Sequence, residues 1–156
     1  MSSGYLLDTS VISALAPGRE THLGSGVAQW LRAHDAQLFL PSVAVAELAQ
    51  GIGKLRRVGA VERADRLDLW LDQLITGFGE RILPFDTLTA RLAGRISDHA
   101  AAHGNHPGFA DVVTAAIAQQ ANHVLLTRNL KHFAPLGVKC FDPFAAGGLP
   151  TSLTTS

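Results

Sequence analysis

The chain has 156 residues, 47% of them hydrophobic and 17% charged, and its 13 basic side chains balance 13 acidic ones. A chain of that size buries about two-thirds of its unfolded surface in one core, so the composition excludes a disordered or fibrous protein. Zero net charge excludes a broad basic field, and any contact with nucleic acid has to rest on a local patch or on metal ions.

Apolar runs of strand character alternate with helical patterns. Tyr5 to Leu7 is a short strand candidate that runs into the helix-capping residues Asp8, Thr9 and Ser10. Gly26 to His34 has helical spacing, with Val27, Trp30 and Leu31 on one side. Gln37 to Leu40 reads as a second strand ended by Pro41, after which Ser42 is expected to cap a helix over VAVAELAQGIGKLRR. Residues 60–76 place Ala64, Leu67, Leu71, Leu74 and Ile75 at helical spacing with charge on the opposite face. Arg81 to Leu83 is a third strand, and Asp86 is expected to cap the helix TLTARLAGRISDHAAAH. The loop GNHPG leads to a helix over FADVVTAAIAQQA, then a strand HVLLT, a short turn at LKHFAP and an edge strand GVKCF. Strands and helices in alternation predict an α/β domain with a mainly parallel sheet.

One domain is expected over residues 1–146, with a flexible C-terminal tail, GGLPTSLTTS, over 147–156. Cys140 is the single cysteine, so no disulfide forms within the chain and a reducing cytoplasm is the natural setting. The start MSSGYLLD lacks the basic and apolar regions of a secretory signal. No apolar run approaches the ~20 residues of a membrane span, so no membrane contact is expected.

Three acids stand isolated among small and apolar residues. Asp8 ends the first strand, where open parallel sheets carry their sites; alone it reads first as a helix cap, with a metal ligand as the other reading. Glu47 sits in VAVAELAQ, either as one polar stripe of an amphipathic helix or as a carboxylate whose burial a cation would offset. Asp111, in GFADVVTAAIA, is the only charged residue between His106 and Arg128 and falls near a helix start, where the macrodipole favours an anion. Together, three oxygen ligands with room for water suit Mg²⁺ or Mn²⁺.

Competing sites are weaker. His99, His103 and His106 lack the cysteine or glutamate partners of a zinc centre. GIGKL lacks the Walker A spacing, and no GxGxxG or GxSxG motif occurs. Asp65, Asp68 and Asp72, interleaved with Arg63 and Arg66, read as a solvated helix surface or a dimer rim. The run Lys54, Arg56, Arg57 reads as a favourable C-terminal charge cluster, with phosphate steering as the other reading.

Five ordered motifs, LLDTSVISAL, SVAVAELAQGI, RILPFDTLTARLAGRI, FADVVTAAIA and LLTRNLKHF, give the chain a resemblance over residues 5–144 to PIN-domain ribonucleases of the VapC and FitB type, the toxins of bacterial toxin–antitoxin pairs. The resemblance implies an α/β/α sandwich and an acidic triad of Asp8, Glu47 and Asp111 around Mg²⁺ or Mn²⁺. Asp8 and Asp111 would be direct ligands, and Glu47 a ligand or a base acting through water. Thr9 or Ser10 would orient Asp8, with Thr127 and Arg128 as further orienting or substrate-contacting residues. Many members carry a fourth acid where this chain has Asn129, with His132 nearby, which favours one-metal operation. The resemblance further implies phosphodiester hydrolysis of RNA, a small antitoxin protein that binds operator DNA on the toxin's behalf, a homodimer, and a bacterial cytoplasmic setting. The apolar helices near 43–52 and 60–75 are expected to offer the docking surfaces. A catalytically weak domain that serves mainly as a co-repressing partner is the alternative. An aspartyl-nucleophile phosphatase is disfavoured, since Ser10 stands where its second Asp would be.

Overall fold

The computed structural model describes residues 3–19 and 24–145; the expected tail over 147–156 lies outside the described residues. Five strands and seven helices form one α/β/α sandwich: β1 (Tyr5–Leu7), α1 (Thr9–Ala14), α2 (Ser25–Ala33), β2 (Leu38–Pro41), α3 (Ser42–Arg57), α4 (Val61–Phe78), β3 (Ile82–Leu83), α5 (Thr87–Ala102), α6 (Phe109–Ala121), β4 (Val124–Leu126), α7 (Leu130–Phe133) and β5 (Cys140–Phe141). The sheet order is β3-β2-β1-β4-β5, and every pairing is parallel, so the expected mainly parallel sheet is wholly parallel among the described residues.

This topology explains why β1 and β4 read as unbroken apolar runs. Tyr5 and Leu7 point to one face with Leu38, Leu40 and Leu126, where Val11, Ile12, Val27 and Ala44 cover them. Leu6 and Leu125 point to the other face, against Ala93 and Ile96 of α5, Val113 and Ile117 of α6, and Phe133 of α7. Strands covered on both faces have no polar side to alternate with. For the same reason α6 is buried from Val112 through Ala118, and Asp111 is the last charge before that core.

One local expectation is corrected. Ser42 is the first helical residue of α3 and not its cap; Pro41 takes the cap position and no side chain caps the helix. The apolar faces of α3 and α4 are largely spent on each other, with Ile52, Ala64 and Leu71 forming a core of their own. A groove of about 250 Å³ remains between α1, α3 and α4, lined by Glu47, Leu48, Ile52, Leu67 and Trp70 among others, and Val61, Leu69 and Ile75 of α4 stay exposed, so these helices still offer apolar surface. The expected cap at Asp86 holds: its Oδ1 accepts the Thr89 N–H at 2.9 Å and the Thr89 hydroxyl at 2.6 Å.

From β1 the chain first winds outward to β2 and β3, then returns to place β4 on the other side of β1. The carboxyl ends of β1 and β4 therefore face the crevice at the topological switch point, where open α/β sheets bind their ligands. Asp8 follows β1 and Thr127 follows β4.

Candidate active site

Asp8 is 5% exposed. Its backbone occupies the cap position of α1, with its carbonyl accepting the Val11 and Ile12 N–H groups at 2.9 and 3.1 Å. Its side chain makes no cap hydrogen bond. The carboxylate instead accepts two hydroxyls on Oδ2, from Ser10 at 2.7 Å and Thr127 at 2.9 Å. Each hydroxyl has its own proton direction fixed, because Ser10 Oγ accepts the Arg128 N–H and Thr127 Oγ1 accepts the Asn129 N–H. Asp8 is thus oriented by hydroxyls from two chain segments, and its Oδ1 accepts no hydrogen bond among the described residues.

Glu47 lies half-buried on α3 and accepts the Thr9 hydroxyl on Oε1 at 2.7 Å. Of the two candidates for orienting Asp8, Ser10 performs that task and Thr9 belongs to Glu47. Asp111 is the third residue of α6, after the cap Gly108. Burial pushes its carboxyl above the usual range, the charge of Asp8 adds to the rise, and His132 opposes it. The His132 Nδ1 stands 3.3 Å from Asp111 Oδ2.

The side chains of Asn129 and Arg128 form no hydrogen bond or ion pair with the three acids among the described residues. Asn129 is exposed at the cap position of α7, and its side chain caps nothing. The Arg128 guanidinium lies 4.8 Å over the Phe144 ring and forms no ion pair with the carboxylates. His99 and His103 are exposed and in ring contact at 4.4 Å, and Arg56 pairs with Asp65 and Asp68 across the surface of α3 and α4.

Among the described residues no three His, Cys, Asp or Glu side chains converge closely enough to hold a metal ion. What is assembled is a pair, Asp8 and Asp111, close enough for one charge to raise the proton affinity of the other. Glu47 is tied back by Thr9. This all-oxygen pair, with an open Asp8 Oδ1, has the donor chemistry of a Mg²⁺ or Mn²⁺ site that keeps water and substrate oxygens in its remaining positions. A cation between the two carboxylates would relieve their repulsion.

Sequence reasoning missed the cleft on the far side of Asp111. Asn105, His106 and Gly108 form one wall, and Lys131, His132 and Pro135 the other. The signal was present in the basic and amide residues that bracket the acid, NHPG before it and KH after β4.

The PIN domain family model matches residues 5–136. The chain is 33% identical over 142 residues to the toxin FitB of Neisseria gonorrhoeae, covering 89% of this chain and 97% of that protein. The crystal structure of FitAcB from Neisseria gonorrhoeae aligns with a TM-score of 0.78 at 32% identity, covering 91% of this chain and 99% of that one. DNA-bound VapBC from Salmonella typhimurium shares the fold, with a TM-score of 0.76 at 20% identity over 91% of this chain and 99% of that one. A carboxylate delivered by the first strand, a second from the helix before the fourth strand, and this likeness over nearly the whole chain place it in the PIN-domain family, among toxins of the FitB type.

Proposed function

We propose that the chain is a Mg²⁺- or Mn²⁺-dependent endoribonuclease, the toxin of a type II toxin–antitoxin pair, working in the bacterial cytoplasm. The observation that carries this reading is the Asp8–Asp111 pair at the sheet's switch point, with Asp8 locked by Ser10 and Thr127. Asp8 and Asp111 would hold the cation. A divalent cation supplies Lewis-acid polarisation of a phosphodiester and neutralises charge in its in-line displacement.

The protein's own contribution is position and proton handling. Two hydroxyls hold Asp8 in one orientation, so little reorganisation is left for the moment of reaction. Glu47, which accepts the Thr9 hydroxyl on one oxygen, would use the other to take a proton from an attacking water. Asn129, in place of an acid, adds no negative charge, and this favours operation with one metal. The FitAcB likeness supports a cognate antitoxin as partner. The groove that begins at Glu47 suits an antitoxin segment laid across the site. Operator DNA would be reached through that antitoxin, and the toxin would work as a homodimer. No helix among the described residues is long and apolar enough to cross a membrane.

The test is cleavage of RNA by purified protein with Mg²⁺ or Mn²⁺, sensitive to EDTA and lost in Asp8→Asn, together with growth arrest on induction that the same substitution relieves. Wild-type-like cleavage by Asp8→Asn overturns the assignment. The neutral Asn129 and the lack of a third converging ligand favour a second reading, a weakly catalytic domain that mainly co-represses with its antitoxin. No EDTA-sensitive cleavage of any RNA would select that one.

A further inference from the structure

We infer that the cleft beside Asp111 is a phosphate subsite that holds single-stranded RNA next to the scissile bond, with Lys131 and His106 as its two grips; this rests on the nuclease reading above. The cleft has a volume of about 260 Å³ and lies between the loop that precedes α6 and the short helix α7. One acid lines it, Asp111, whose carboxyl feels the charge of Asp8. The rest of its polar lining is amide, imidazole and ammonium.

Lys131 is the informative residue. It is exposed, lines the cleft, and has no ion pair or hydrogen bond through its side chain among the described residues. Among the described residues Arg56 alone of the Lys and Arg side chains is ion-paired, with Asp65 and Asp68, so what sets Lys131 apart is its place in the cleft beside Asp111. A flexible ammonium without a carboxylate partner, facing an imidazole across a cleft, is suited to a phosphate as a point charge. The neutral chain lacks a broad basic field, so phosphate contacts must be few and local. A strand whose scissile phosphate lies over the Asp8–Asp111 pair has to continue past Asp111, and this cleft is a path that offers an ammonium and imidazole donors beside it.

The subsite is tested by initial-rate cleavage of a mixed-sequence single-stranded RNA across a range of KCl, using wild type, Lys131→Ala, Lys131→Arg and His106→Ala. Each lost phosphate contact on a single strand flattens the slope of log(kcat/KM) against log[salt] by about 0.7. Lys131→Ala should show that flattening with KM raised several-fold, Lys131→Arg should restore both, and His106→Ala, on a separate loop, should raise KM independently. RNA carrying a methylphosphonate beside the cleaved bond should weaken wild type but add no further loss to Lys131→Ala. Unchanged KM and salt slope in both alanine variants, with EDTA-sensitive cleavage intact, overturns the subsite alone. Absence of cleavage by wild type overturns the nuclease reading instead. The slope is then read from fluorescence anisotropy of the same RNA, and equal slopes for wild type and Lys131→Ala overturn the subsite as well.

Discussion

The Thr127 hydroxyl donates to Asp8 Oδ2 at 2.9 Å, joining residues 119 apart in the chain at the buried carboxyl ends of β4 and β1. The same oxygen accepts the Asn129 N–H, so one hydroxyl aligns the first acid of the site and ties down the turn into α7. Thr127→Val preserves shape and removes both functions. Leaving buried polar groups unpaired should cost about 1–3 kcal/mol in urea denaturation. Loss of a hydrogen bond that orients a ligating carboxylate should weaken divalent-metal binding by about 10–100-fold. Thr127→Ser, which keeps the hydroxyl, should recover most of the metal affinity.

Asp111 carries a stability cost at neutral pH that a bound cation would offset. Burial, then the charge of Asp8, hold its carboxyl above the usual range. The folded protein therefore binds that proton more tightly than the unfolded chain, and stability falls as pH rises from the ordinary carboxylate range through the raised value. Asp111→Asn should raise the Tm of EDTA-treated protein at neutral pH by a few degrees, and this gain should vanish on acidification. Added Mn²⁺ should raise the Tm of wild type and not of the variant. A variant less stable than wild type at neutral pH would show that the carboxylate is not the strained partner of Asp8.

Glu47 separates folding from chemistry. Its Oε1 accepts the Thr9 hydroxyl at 2.7 Å, a bond that an amide oxygen can also accept. Glu47→Gln should therefore unfold within about 0.5 kcal/mol of wild type, as substitutions that spare buried contacts do. RNA cleavage should fall by about 10²–10⁴-fold, the range for losing a general base. Full activity in Glu47→Gln would remove Glu47 from the reaction.

Asp8 and the strand that ends in it could be read from sequence because burial on both sheet faces writes itself as apolar runs, and an aspartate ending such a run is conspicuous. Asp86 capped α5 as expected because its pattern is local. The choice between Thr9 and Ser10 could not be read, since which hydroxyl meets Asp8 depends on the direction in which α1 leaves the strand. The pairing of α3 with α4 was hidden for a similar reason: an amphipathic face shows that something is covered and not by what. Lys131 and His132 lie 20 or more positions from Asp111 and meet it only because β4 returns beside β1.

Among the described glycines, Gly4 leaves the least room for a Cβ. A Cβ there would lie 2.6 Å from Phe39 Cε2 and 2.7 Å from the Gln37 carbonyl oxygen. The ring could shift, but the backbone oxygen sits just before β2, which pairs with β1, and cannot. Gly4→Ala should destabilise by about 1–3 kcal/mol, the usual cost of overpacking, seen as a lower urea midpoint. Unaltered stability would mean that β1 and β2 can separate there without penalty.

At the opposite end of the sheet from the acids, His123 holds the start of β1. Its Nδ1 accepts the Gly4 N–H at 2.8 Å, which places the proton of the neutral ring on Nε2, and the ring lies 4.3 Å from that of Phe39. Burial pushes its pKa below the ordinary 6.5, with the Asn122 hydrogen bond opposing. Protonating Nδ1 would also cost the Gly4 bond. The unfolded chain thus takes up a proton first as pH falls below 6.5, and stability is lost from there down to the depressed folded value, while above 6.5 it is fully present. Urea midpoints measured from about pH 8 to about pH 5, the window in which an imidazole changes charge, should fall on the acid side in wild type. His123→Asn keeps an acceptor near Nδ1 but does not titrate, so its acid limb should be shallower than that of wild type whatever its absolute stability. Parallel acid limbs in the two proteins would show that the loss arises from other groups.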